Sequence, residues 1–169
     1  MIYGYIGHDG KSIHRTGVSS STFIDYPHQL KLNKGVYIGH HNFIEASNGI
    51  EIEEGVQITN YVSITTHSSH NSIRLYGENY AGAEMIGYQK GAVFIGKYSF
   101  IGPHSTIMPG TKIGKGSLIA AYSYVRGEFP DFAILAGNPA TVVGDTREKD
   151  EEWIKKHPEL KPFYDAWAQ

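Results

Sequence analysis

The sequence predicts an all-β fold, a parallel β-solenoid, and three observations carry that prediction. Ile95, Ile101, Ile107, Ile113, Ile119 and Val125 stand six residues apart without a slip. Four positions after the first five come the small residues Ser99, Ser105, Thr111, Ser117 and Ser123. Gly or Ala directly follows the aliphatic residue at 96, 102, 114 and 120, with Met108 the exception. A helix wants apolar residues at i, i+3, i+4 and i+7, and a six-residue series drifts around its cylinder. Positions i+4 and i+6 do alternate as in one short strand, so a turn must precede the next strand. Strand-and-turn units of this length build the walls of a solenoid coil. A sandwich of short alternating strands is the competing architecture, but it has no reason to hold one spacing through six units.

The same period appears earlier in two runs, Leu32, Ile38, Ile44 and Ile52, Ile58, Ile64, with a two-residue insertion near "SNGIEIEEG". Val36, Val56 and Val62 take the i+4 place. Residues 1–31 read as a lead-in strand that reaches the first coil at "FIDYPHQLKL". Residues 66–92 interrupt the period as a long excursion rich in Gly, Tyr and His. Loops beyond about 12–15 residues are uncommon in compact domains and are often functional. From residue 145 the register changes. Trp153 and Ile154 precede a break at "HPE", and Leu160, Phe163, Tyr164 and Trp167 then recur at helical spacing. The expected organisation is a solenoid domain over 1–144, with its excursion at 66–92, and a helical appendage over 145–169 that covers the open end.

Composition narrows the function classes. Lys and Arg number 15 against 17 Asp and Glu, a formal charge of −2, so no basic field points to nucleic acid. The absence of cysteine excludes disulfides, thiolate metal sites and a cysteine nucleophile. "MIYGYIGHDGKSIHR" has no basic region followed by an apolar core, and no apolar run approaches the ~20 residues of a membrane helix. The expectation is a cytoplasmic protein without membrane insertion.

The run "IGKYSFIGPHSTIMPGTKIGKGSLIAAYSYV", with "GNPA" beyond it, resembles the hexapeptide-repeat acyltransferases, which are left-handed parallel β-helix enzymes. Within them it is most similar to the sugar and polysaccharide O-acetyltransferases of the galactoside and maltose acetyltransferase type. The resemblance covers roughly Leu32 to Val143. It implies a left-handed coil, a homotrimer with active sites between subunits, and acetyl-CoA as co-substrate with no metal required. It also implies a catalytic histidine on the excursion, often followed seven positions later by arginine. His67 and Arg74 stand in that relation, with His70 between them as the alternative. The family's proline after the histidine is replaced here by Ser68.

The chemistry implied is simple. A sugar hydroxyl is a poor nucleophile at neutral pH, so a placed imidazole takes its proton as it attacks the thioester. Without cysteine there is no acyl-cysteine intermediate, and direct transfer in a ternary complex follows. Carried over residue by residue, the cofactor contacts fall on Gly102, Pro103, His104, Ala120, Ala121, Arg126, and Gly137, Asn138 and Pro139 of the "GNPA" turn. A basic residue usually follows that turn; Arg147 or Lys149 would serve here. For the acceptor, His41 and Asn42 match a sugar-bonding position, with Glu45 nearby and Arg74 on the excursion. Asp25 and Tyr26 belong to the same expectation.

Three alternatives stand beside O-acetylation. N-acetylation of an amino sugar would use the same base. A zinc-dependent carbonic-anhydrase-like hydrolyase shares the solenoid, but its HxxxxH pair is missing among His67, His70 and His104. A non-catalytic scaffold would have no need of the His-bearing excursion or the "GNPA" turn.

Overall fold

The computed structural model describes residues 2–7 and 10–169. The six-residue period becomes a three-sided prism of stacked coils. The first face stacks strands Ser12–Ser19, Tyr37–Ile38, Gln57–Ile58, Phe100–Ile101, Leu118–Ile119 and Ala133–Gly137 in parallel. The second face stacks Phe23–Asp25, Phe43–Glu45, Ser63–Thr65, Thr106–Ile107 and Tyr124–Val125. The third stacks Leu30–Leu32, Ile50–Ile52, Val93–Ile95, Lys112–Ile113 and Glu128–Phe129. An antiparallel strand extends each end of the first face, Ile2–Ile6 before and Ala140–Asp145 after.

At least one apolar residue of each coil strand points inward, and Ile38, Ile44, Ile52, Ile58, Ile64, Ile95, Ile101, Ile107, Ile113, Ile119 and Val125 are wholly buried. Each contributes about 1.5–3 kcal/mol of transfer free energy relative to exposure. The small i+4 residues do more than save space. Ser99, Ser105, Ser117 and Ser123 donate their hydroxyls to the carbonyls of Gly114 or Ala120 at the corners. Those carbonyls leave the sheets where the chain turns, and the hydroxyls satisfy them inside the prism.

Two sequence expectations need correction. The solenoid starts one strand earlier than "FIDYPHQLKL": Gly17–Val18 already pair in parallel with Tyr37–Ile38, and Val18, Ile24 and Leu30 keep the six-residue step. The lower coils are two residues longer than the upper ones, because Leu30 with Leu32 and Ile50 with Ile52 both turn inward on three-residue third-face strands. The helices Thr146–Lys156 and Lys161–Ala168 exist, but their aromatic contacts are lateral. Trp167 lies against Tyr98 (4.7 Å between centroids) and Phe132 (5.9 Å), on the edge between the third and first faces. Rings already standing at that edge offer apolar area for Trp167 to cover. Among the described residues, no helix is long and apolar enough to cross a membrane.

Candidate active site

The excursion leaves the second face after Thr65 and rejoins the third face at Val93. Its neck is a two-stranded antiparallel ladder, His67 opposite Lys90 and Ser68 opposite Gln89. His67 therefore sits where the chain steps off the prism, on the edge between the second and third faces. Register places Glu45 directly beneath Thr65, one coil down.

The two side chains meet. His67 Nδ1 lies 2.8 Å from Glu45 Oε2, with the carboxylate 4% exposed and the imidazole 37% exposed. Glu45 is itself fixed: it accepts the Ser47 N–H on Oε1, and the Thr66 N–H and hydroxyl on Oε2. Burial alone would raise the Glu45 pKa, but the hydrogen bonds from Ser47 and Thr66 outweigh it and hold the group at about 2. An ionised carboxylate only accepts, so the Nδ1 proton points at it. Nε2 then carries the free lone pair, the tautomer a general base needs. The Ser47 hydroxyl is also 3.3 Å from Nδ1, and the Tyr88 ring lies flat on the imidazole, 5.6 Å between centroids and 9° between planes.

His70 has no such support. It is exposed, and among the described residues its Nδ1 pairs with the Ser68 hydroxyl at 2.7 Å. Arg74, on the short helix Ser72–Tyr76, is exposed and donates to Asn71. Two acceptor expectations are corrected. Asn42 is buried and its amide is consumed inside a corner: it donates to the carbonyls of Gly39 and Thr59 and accepts the Val62 N–H. Glu45 faces His67 rather than open solvent, so its carboxylate is a partner of the imidazole and not a free acceptor contact. Asp25 and Tyr26 lie on the same edge, with Asp25 one coil below Glu45.

The residues expected to meet the cofactor divide between edges. Gly102, Pro103, His104, Ala120 and Ala121 lie on the edge between the first and second faces, and the Gly137–Asn138–Pro139 turn closes the end of that edge. Gly102 has a structural reason of its own: a Cβ there would stand 2.6 Å from the Ile119 carbonyl of the next coil. His104 is not a free surface group. Its ring is sandwiched between Tyr61 (4.9 Å) and Tyr122 (4.7 Å), and His41 stacks below Tyr61 at 5.2 Å. All four rings stand on left-handed corner residues, φ 56 to 60, so equivalent corners align them. Arg126 is exposed on the same edge as His67. Arg147 lies on the third edge, where its guanidinium is bonded to Asp145 and rests 4.9 Å from the Phe132 centroid. Among the described residues, no three side chains of metal-binding type converge.

Residues 92–127 match the bacterial transferase hexapeptide model, six repeats. That segment is thus similar to the hexapeptide-repeat transferases, and the relatives it matches are named as acetyltransferases. It is 40% identical over 72 residues to YvoF of Bacillus subtilis (strain 168), an acetyltransferase by inference, covering 43% of this chain and 41% of that one. It is 35% identical over 72 residues to WbbJ of Escherichia coli (strain K12), an O-acetyl transferase of lipopolysaccharide biosynthesis, also by inference, covering 43% and 37%. The chain therefore spans about two fifths of the length of these relatives. Among solved structures, a maltose O-acetyltransferase from Clostridium difficile 630 shares the fold at TM-score 0.63 and 23% identity, covering 76% of this chain and 65% of that one. The N-acyltransferase AntD from Bacillus cereus, in complex with dTDP and 3-hydroxybutyryl-CoA, does so at 0.62 and 19%, covering 84% and 88%.

The spacing rule pointed to His67 but carried no sign of the Glu45 carboxylate beside it. Glu45 and His67 are 22 positions apart in sequence and adjoin only because the intervening coil is 20 residues long. That length was readable from the paired runs of isoleucines. Tyr88 carried no comparable signal, since nothing periodic governs the excursion.

Proposed function

We propose that this protein transfers an acetyl group from acetyl-CoA to a hydroxyl of a sugar or surface polysaccharide, with His67 as general base. The observation that carries the reading is the His67–Glu45 pair, which aims one imidazole nitrogen at a buried carboxylate and leaves the other free. The acceptor hydroxyl gives its proton to Nε2 as its oxygen attacks the thioester carbonyl. The tetrahedral intermediate collapses with loss of the CoA thiolate, which takes the proton back from the imidazolium. Glu45 stabilises the positive charge that His67 carries between those two transfers. Backbone N–H groups of the coil are the donors available to the oxyanion. The kinship with O-acetyltransferases of sugars and lipopolysaccharide supports the acceptor class. Acetyl-CoA is a cytoplasmic metabolite, so the reading carries a cytoplasmic location.

A homotrimer with sites between subunits belongs to the same proposal, and the faces support it. The third face is solvated, with outward Lys31–Glu51 and Lys112–Glu128 pairs. Outward positions on the other two hold Tyr37, Phe100 and Leu118, and the stacked Phe23 and Phe43. Within one chain His67 and the Gly102–Ala121 edge lie on opposite sides of the second face, so a second copy would bring base and cofactor together. N-acylation of an amino sugar is the second reading, favoured by the fold shared with AntD.

The test is thiol release from acetyl-CoA against a panel of sugars and oligosaccharides, with His67→Ala and His70→Ala beside wild type. We expect His67→Ala to lose about 10²–10⁴-fold in kcat, and His70→Ala to stay near wild type. Wild-type turnover by His67→Ala would remove His67 from the mechanism.

A further inference from the structure

We propose that Tyr88 is a positioning residue for His67, its ring holding the imidazole in the plane set by Glu45 and favouring the protonated ring formed during transfer. This rests on the reading of His67 as base.

The carboxylate alone does not fix the imidazole. It holds one nitrogen at 2.8 Å, and the ring can still swing about that contact because the terminal torsion of histidine is broad. The Tyr88 ring flanks one face in a parallel-displaced stack, 5.6 Å between centroids and within 9° of parallel. Its place is set by the neck of the excursion. Lys90 pairs with His67 and Gln89 with Ser68, so Tyr88, two residues before Lys90, is the diagonal neighbour of His67 on the same face of the ladder. The Tyr88 N–H to Met85 carbonyl bond (3.0 Å) fixes the turn that delivers it. Burial pushes the Tyr88 phenol up, in keeping with a neutral ring beside ionised Glu45.

The π face also bears on the charge. When Nε2 takes the acceptor proton, the imidazolium forms within the ~6 Å at which an aromatic ring attracts a cation. Before proton transfer the same stack meets a neutral ring. The attraction therefore strengthens as the transition state is approached, and such an interaction raises kcat rather than substrate affinity. The stack uses the ring and not the hydroxyl, which separates Phe from aliphatic replacements.

Tyr88→Phe, Tyr88→Leu and Tyr88→Ala are compared with wild type and His67→Ala by acetyl-CoA thiol release on the best acceptor of the panel. Tyr88→Phe is expected to retain activity within about 2-fold. The Leu and Ala variants should lose about 10-fold in kcat, the size of one cation–π contact, with KM for acetyl-CoA within about 2-fold. NMR supplies a readout independent of turnover: the His67 ring C–H signals, assigned with His67→Ala, should be displaced upfield in wild type and Tyr88→Phe and relax in Leu and Ala. Wild-type kcat in Tyr88→Leu, a loss in Tyr88→Phe as large as in Tyr88→Ala, or a loss confined to KM would each overturn the proposal. If Ala disorders the excursion, Leu, which fills the volume without a π face, decides. Failure of the base reading is a separate outcome: it appears as an active His67→Ala, whatever Tyr88 does.

Discussion

Glu45 is a carboxylate that burial would drive toward the neutral acid, yet three hydrogen bonds from Ser47 and Thr66 keep it charged beneath His67. Its folded pKa of about 2 lies well below the ordinary carboxylate range. A depressed carboxylate contributes stability that is present above its unfolded pKa and is lost as pH falls through the folded one. That contribution is present above the ordinary carboxylate range and disappears as pH falls toward about 2. Urea unfolding at pH 6 and pH 3 should show a steeper loss in wild type than in Glu45→Gln, which has no proton to take up. An equal loss in both would mean Glu45 does not govern acid stability. Glu45→Gln keeps an acceptor for the Nδ1 proton but removes the charge, and should also lower kcat by about 10²-fold or more.

At the scale of the coil, spacing in the stack is set by residues that allow close approach. A Cβ at Gly114 would lie 2.3 Å from the Asp131 nitrogen of the next coil, while the Gly114 N–H is bonded to the Phe129 carbonyl at 3.1 Å. The coils cannot part there without breaking that bond. Gly114→Ala should therefore destabilise by roughly 1–3 kcal/mol, read as a lower unfolding midpoint; an unchanged midpoint would show that the coils tolerate wider spacing. This element was legible in the sequence. A prism of fixed width admits one inward aliphatic residue per side, so Ile95 through Val125 declare it by a constant step. The first coil was harder to see, because Val18, Ile24 and Leu30 keep the step without Gly or Ala after the aliphatic residue.

For the molecule as a whole, the C-terminal helices act as a brace along one edge. Trp167 bridges Tyr98 and Phe132, which stand two turns apart on that edge with the Gly116 turn between them, and the Lys115 ammonium reaches the Ala168 carbonyl. His67 lies on a different edge. Trp167→Ala should cost about 2 kcal/mol and several degrees of Tm while thiol release at 25 °C stays at the wild-type rate. A parallel loss of activity would tie the brace to the site.

The sequence by itself determined the solenoid, the place where it is interrupted, and the histidine-bearing character of that interruption, because repeat spacing is a one-dimensional record of a fixed cross-section. The tertiary structure set His67 against the buried Glu45 carboxylate, left His70 exposed beside the Ser68 hydroxyl, and enclosed Asn42 in a corner. It also showed the Tyr88 ring against His67. Each of these depends on contact between residues of different coils or opposite limbs of the excursion. Such contacts are set by coil length and loop path, which no local pattern of residue types encodes.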